Sequence, residues 1–114
     1  DSLEIQQNLA EDHYHFRIAV LQMERLRNLT KGEISMRLYG RKDNQVASCD
    51  LLTLANIDAK DRQFNMRYFT VMAGDFILPA DFLPERIEVE VSVAGTRQTL
   101  TRSFFWSQLL QGNT

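Results

Sequence analysis

Apolar and polar side chains alternate with a period of two along most of this chain, the pattern of strands buried on one face. Tyr14, Phe16, Ile18 and Val20 fall on one face of such a strand, with His13, His15, Arg17 and Ala19 on the other. Ile34, Met36 and Leu38 alternate with Glu33, Ser35 and Arg37. Ile87, Val89, Val91 and Val93 alternate with Glu88, Glu90 and Ser92, the clearest case in the chain. The pattern predicts strands over 14–20, 33–39, 64–72, 87–93 and 99–105. Leu3-Glu4-Ile5 reads as a first strand or a lead-in, and Val46–Leu54 as a returning strand blurred around Cys49 and Asp50. A helical spacing of Ile18, Leu21, Leu26 and Leu29 competes for the second half of the first alternating run, while the aromatic and β-branched content of 14–20 favours a strand there; beyond Gln22 the pattern selects neither.

Phe64 to Pro84 reads as the centre of the core, holding four phenylalanines and both prolines. Its alternation slips where Tyr68 and Phe69 adjoin, which suggests a bulge or a strand covered on both faces. Gly74-Asp75 is expected to turn the chain into a short strand, Phe76-Ile77-Leu78, closed by Pro79. Between the prolines, Ala80 to Leu83 has room for one helical turn at most, with Phe82 directed inward. Elsewhere Gly40-Arg41-Lys42-Asp43-Asn44 reads as a polar hairpin loop, Asn56–Arg62 as a charged connection and Ala94-Gly95-Thr96 as a tight turn. Ser107–Gln111 is a possible closing helical turn. The sum is an all-β fold: one antiparallel β-sandwich of seven or eight strands over residues 1–114, immunoglobulin-like in general architecture.

Composition narrows the function classes. The chain is 44% hydrophobic and 25% charged, with a net charge of -2 spread along its length. That is an ordinary globule with no basic block for nucleic acid. One cysteine, Cys49, excludes an internal disulfide and a zinc site built on several thiolates. No apolar run approaches the roughly 20 residues of a membrane span. The chain opens on Asp1 and not on methionine, so a piece of a longer protein is expected, with any anchor in the missing part.

Candidate chemistry is thin. His13 and His15 share a strand face and could supply two metal ligands, but Glu11 and His15 would start roughly 13 Å apart at about 3.3 Å per residue. A third ligand would have to come from another strand, Asp50 being one possibility, and no motif points to it. No metal and no cofactor are therefore expected. Cys49 has no motif around it and reads as a small buried hydrophobe. Glu88 and Glu90 could pair as in a glycosidase, yet Val89 and Val91 explain them as the outward half of an amphipathic strand. Asn28-Leu29-Thr30 matches a glycosylation sequon, a sequence frequent by chance, and Arg25, Arg27 and Lys31 form only a small basic cluster. No catalytic set emerges, and the chain is expected not to be an enzyme.

The Tyr14–Gln22 strand, Gly32, Gly40, Phe64, Arg67-Tyr68-Phe69, Gly74, Leu78-Pro79, Phe82, Pro84 and the closing Phe105-Trp106 carry a resemblance. Through them the chain resembles the C-terminal β-rich domain of uncharacterised, membrane-anchored coiled-coil proteins of proteobacteria. Those have a short tail, one transmembrane helix, a coiled coil and then such a domain. The resemblance implies the inner membrane of a Gram-negative bacterium, with this domain on the periplasmic side, and it implies no activity.

Three aromatics stand out of phase with their strands: Tyr39, Phe69 and Phe105. Outward aromatics forgo roughly 1.5–3 kcal/mol of burial each. Either the chain ends, the 24–31 segment or a bulge cover them, or they form a contact surface for a partner or a second copy. The expected function is a non-catalytic protein-interaction domain of the cell envelope, with a protein partner or self-association, no nucleic acid, and the membrane reached only through the missing anchor. The alternative is a sandwich that binds a small ligand, a glycan or a metal.

Overall fold

Inward-facing apolar residues bury themselves by closing two antiparallel sheets over one another. The computed structural model describes residues 2–21, 30–66, 69–95 and 99–111. Among them are eight strands: β1 (Ser2–Gln7), β2 (His13–Leu21), β3 (Thr30–Lys42), β4 (Gln45–Asp50), β5 (Gln63–Met66), β6 (Phe69–Ile77), β7 (Phe82–Val93) and β8 (Thr99–Phe105). A three-stranded sheet runs β1-β2-β6, and a five-stranded sheet runs β4-β3-β7-β8 with β5 also on β3. The all-β sandwich expected from the alternation is the fold, with all described strand pairs antiparallel. The ambiguous segment 22–29, with Arg25, Arg27 and most of the sequon, lies outside the described residues, as do Arg67-Tyr68 and Thr96.

The core follows the predicted faces. Tyr14, Phe16, Ile18 and Val20 from β2 meet Ile34, Met36 and Leu38 from β3 and Ile87, Val89 and Val91 from β7, all of them buried. At one end Trp106 and Leu109, on helix α2 (Trp106–Gln111), close the sandwich. The Trp106 ring stands edge-on to Tyr14 at 5.0 Å, and Tyr14 stacks on Phe76 at 5.7 Å. Such aromatic contacts add about 0.5–1.5 kcal/mol each beyond area burial.

Four local expectations are corrected. Gly74-Asp75 is no turn: β6 runs straight through it, pairing Gly74 with Phe16 and Asp75 with His15. Glycine leaves room for the Phe16 ring there, since a Cβ would make a tight 3.1 Å contact with it. The predicted 64–72 strand is two strands in different sheets, β5 on β3 and β6 on β2. The returning strand ends at Asp50, whose carboxylate caps the short helix α1 (Leu51–Leu54) by accepting from the Leu52 and Thr53 amides at 3.0 and 3.2 Å. Finally, β7 begins at Phe82, straight after a turn in which Asp81 takes φ 61°.

The polar loop at 40–44 is tighter than its composition suggested. Asp43 and Asn44 both hold left-handed backbone, φ 52° and 66°, so β3 and β4 are joined by a two-residue turn matched to strand twist. Just before it, a bulge shifts the β3–β7 register between Tyr39 and Gly40 and leaves Glu85 without an opposite residue. Gly40 is forced by that bulge, since a Cβ would run into the Leu83 carbonyl. Pro84 sits beside the bulge and, among the described residues, beyond the end of the β7–β8 pairing, both positions where a proline is tolerated in a sheet.

Candidate interaction surface

The outer face of the larger sheet changes character along its strands. In its middle the rows are polar: Arg37 stands between Asp50 and Glu88, and Ser35 faces Glu90. Arg37 Nη1 donates to Ser48 Oγ at 3.1 Å. A hollow of about 190 Å³ lies over this part, between Ser35, Arg37, Asp50, Glu88 and Glu90. Nearer the β3–β4 turn the rows become aromatic and apolar. Tyr39 pairs with Arg86 of β7, and Arg86 pairs in turn with Phe105 of β8, so the three side chains form one cross-strand row.

Arg86 is held in place within that row. Its guanidinium lies 4.0 Å from the Tyr39 ring centroid, and Nη1 donates to Glu88 Oε2 at 3.1 Å. A cation over an aromatic face is worth about 0.5–1 kcal/mol at an exposed site. The larger consequence is that a long, flexible side chain is already ordered before anything docks. Phe105 is 58% exposed beside it. In the next row Arg41 stands between Val46 and Leu83, which are 82% and 68% exposed. Val46, Leu83 and Phe105 around a fixed arginine make an exposed apolar and cationic patch, with aromatic and arginine side chains of the types enriched at protein interfaces.

Two of the three aromatics picked out from the sequence are thus brought together. Tyr39 is half-buried under Arg86, and Phe105 is open. Phe69 is not in this sheet: it opens β6, where its backbone pairs with Leu21 of β2, and its side chain lies outside the described residues. Sequence reasoning missed Val46, Leu83 and Arg86. Leu83 follows buried Phe82, the same out-of-phase signal that marked Phe105, but the flanking prolines hid the strand that gives it meaning.

The remaining candidates resolve into structural roles. His15 Nδ1 donates to Asp75 Oδ1 at 2.8 Å across β2 and β6, and this hydrogen bond holds the Asp75 carboxyl below its ordinary range. His13 stands opposite Ile77, and the described residues contain no group of three or more metal-ligating side chains. Asp50, the carboxylate considered as a third ligand, is in the other sheet. Burial would raise its pKa, but the Thr53 amide, the Arg62 guanidinium and the Leu52 amide outweigh that and hold it low. Arg62 donates to Asp50 Oδ2 at 3.0 Å, to the Ile57 carbonyl at 3.0 Å and to Thr53 Oγ1 at 3.1 Å, and so ties down the 50–62 connection. Cys49 faces Leu38 at the core margin, where burial pushes its thiol up and away from reactivity. At the far end of β3 an open cleft of about 700 Å³ has Lys31, Glu33, Lys60, Gln63, Phe64 and Asn65 among its lining residues.

These features define a two-sheet, all-β domain whose most developed surface feature is an exposed aromatic and arginine patch. Residues 1–89 match the model of a family of unknown function (DUF6776), and the chain belongs to that family. Tyr39, Val46, Leu83 and Arg86 fall within the matched residues, and Phe105 lies beyond them. No curated protein and no solved structure matches the chain.

Proposed function

We propose that this is a non-catalytic interaction domain that binds a protein partner through the Tyr39–Arg86–Phe105 row and the adjoining Val46 and Leu83. The observation that carries the proposal is the ordered Arg86 set among open apolar side chains on the outer face of the larger sheet. Exposed apolar side chains on the outside of a sheet suit a protein surface better than a small molecule, which is bound in a concave site. The resemblance to membrane-anchored coiled-coil proteins of proteobacteria extends the proposal to the cell envelope: an N-terminal anchor in the inner membrane, with this domain in the periplasm. No described helix is itself long and apolar enough to cross a membrane. The test is a photo-crosslinking amino acid placed at position 83 or 105 of the membrane-anchored parent in intact cells. A discrete protein adduct from both positions, and none from Val71 on the other sheet, is the expected result. Equal labelling from all three positions would remove the patch as a specific site.

The Lys31–Lys60 cleft supports the second reading, a small-ligand binder, since it gathers two lysines, Glu33, Gln63 and Asn65 beside Phe64. Anionic or neutral oligosaccharides that shift the amide signals of Gln63 and Asn65 in solution NMR would favour it.

A further inference from the structure

Taking the outer-face patch as a protein contact, we infer that its partner presents an aspartate or glutamate to Arg41, flanked by apolar groups that cover Val46 and Leu83. Val46 on β4, Arg41 on β3 and Leu83 on β7 are direct cross-strand neighbours, with the arginine in the middle. Such neighbours have Cβ atoms about 4.5–5.5 Å apart. A surface that reaches both apolar side chains therefore lies over Arg41 as well. All three are open in the folded chain, Val46 and Leu83 at 82% and 68% exposure.

The two arginines of the patch differ in what they still need. Arg86 is matched already, with Nη1 donating to Glu88 Oε2 and the guanidinium against the Tyr39 ring. Arg41 takes part in no ion pair and no cation–aromatic contact among the described residues. The acids closest to the row in sequence are Asp43, just past β3, and Glu85, two residues after Leu83, and neither pairs with it. In water that costs nothing. Once a partner covers Val46 and Leu83, water leaves Arg41 too, and a guanidinium cannot shed its charge. A cation taken out of water without a counter-charge is strongly disfavoured, so the docking surface has to supply one. A carboxylate matches the guanidinium fork with two parallel hydrogen bonds, and apolar groups on either side keep water from competing. The same row rejects a basic or wholly apolar surface, which gives the patch selectivity. An anionic membrane also attracts arginine beside apolar groups, but Asp43 and Glu85 next to the row would be repelled by it.

The test places the photo-crosslinking amino acid at position 105 of the membrane-anchored parent, which leaves the Val46–Arg41–Leu83 row intact. Arg41→Glu should lower the protein adduct at least about tenfold, and Arg41→Gln by a smaller factor, with the urea midpoint of the chain unchanged. Arg41→Lys, which keeps the charge, should retain more adduct than Arg41→Gln. Peptide mapping of the adduct names the acids of the partner segment, and changing one of them to lysine should restore the adduct in Arg41→Glu. A merely structural role for Arg41 would give no such charge-swap rescue. Parental adduct in Arg41→Glu overturns the inference and leaves the patch standing, as does the failure of every charge reversal to rescue. Should Arg41→Glu shift the urea midpoint, equal adduct from Arg41→Gln and Arg41→Lys overturns it instead. No adduct from the parental chain removes the patch and this inference together. Binding to vesicles of phosphatidylethanolamine and phosphatidylglycerol that Arg41→Glu abolishes, with no protein adduct, would assign the row to a membrane and overturn it too.

Discussion

β7 and β8 are neighbours in one sheet with similar alternation, yet they do opposite things. In β7 the inward residues Ile87, Val89 and Val91 are buried between the sheets. In β8 the residues on the same side, Leu100, Arg102 and Phe104, are exposed or half-exposed. The difference is coverage: Ile87, Val89 and Val91 are buried between the sheets, while Leu100 on the same side of β8 is 62% exposed. Periodicity fixes which face a side chain takes and is silent about whether anything lies over that face. Uncovered positions are thus free to serve as contact surface, while the central pair holds the fold.

The largest expected effect breaks that comparison open. Ile87→Ala removes a fully buried side chain and should cost about 2–5 kcal/mol in urea unfolding. Leu100→Ala, on the same side of the sheet, should stay within about 0.5 kcal/mol of the parent chain, as surface substitutions usually do. Comparable losses would mean β8 is covered as well as β7.

Next in size is Gly40→Ala. Its Cβ would meet the Leu83 backbone, which no side-chain rotation can relieve, so a loss of about 1–3 kcal/mol is expected by denaturation. Because the bulge at Gly40 sets where Leu83 emerges, the same variant should also weaken partner capture.

Asp50→Ala should cost about 1 kcal/mol through the lost helix cap. Asp50 and Asp75 both titrate below the ordinary aspartate value of 3.8 in the folded chain. A depressed carboxyl contributes stability that is fully present above its unfolded pKa and is lost as pH falls through the folded one. Melting temperature should therefore hold from neutral pH down to about pH 5 and fall below about pH 4. Asp50→Asn should flatten the acid limb more than Asp75→Asn, because Asp75 is fully exposed and its pair with His15 is screened by water.

What was legible in the sequence divides along the same line. The inward faces of β2, β3 and β7 were readable because each alternates apolar with charged or polar residues and is buried on one side. The Phe64–Pro84 stretch was harder, because Gly74-Asp75 carries turn chemistry although the glycine only makes room for Phe16. Leu51-Leu52 extends the apolar run of β4, so nothing but the capping aspartate marked the start of a helix. Tyr39 and Phe105 could be named from phase alone. Their meeting through Arg86 could not, since cross-strand register is a property of long-range pairing.

The central claim is that the residues of the patch are there for a partner and not for the fold. Leu83→Glu and Phe105→Glu, each measured for urea stability and for capture of the cross-linked partner, separate the two most directly. The account predicts stability within about 0.5 kcal/mol of the parent chain, as for other exposed positions, and capture lost in both variants. Stability and capture falling together, or capture unchanged in both, would contradict it.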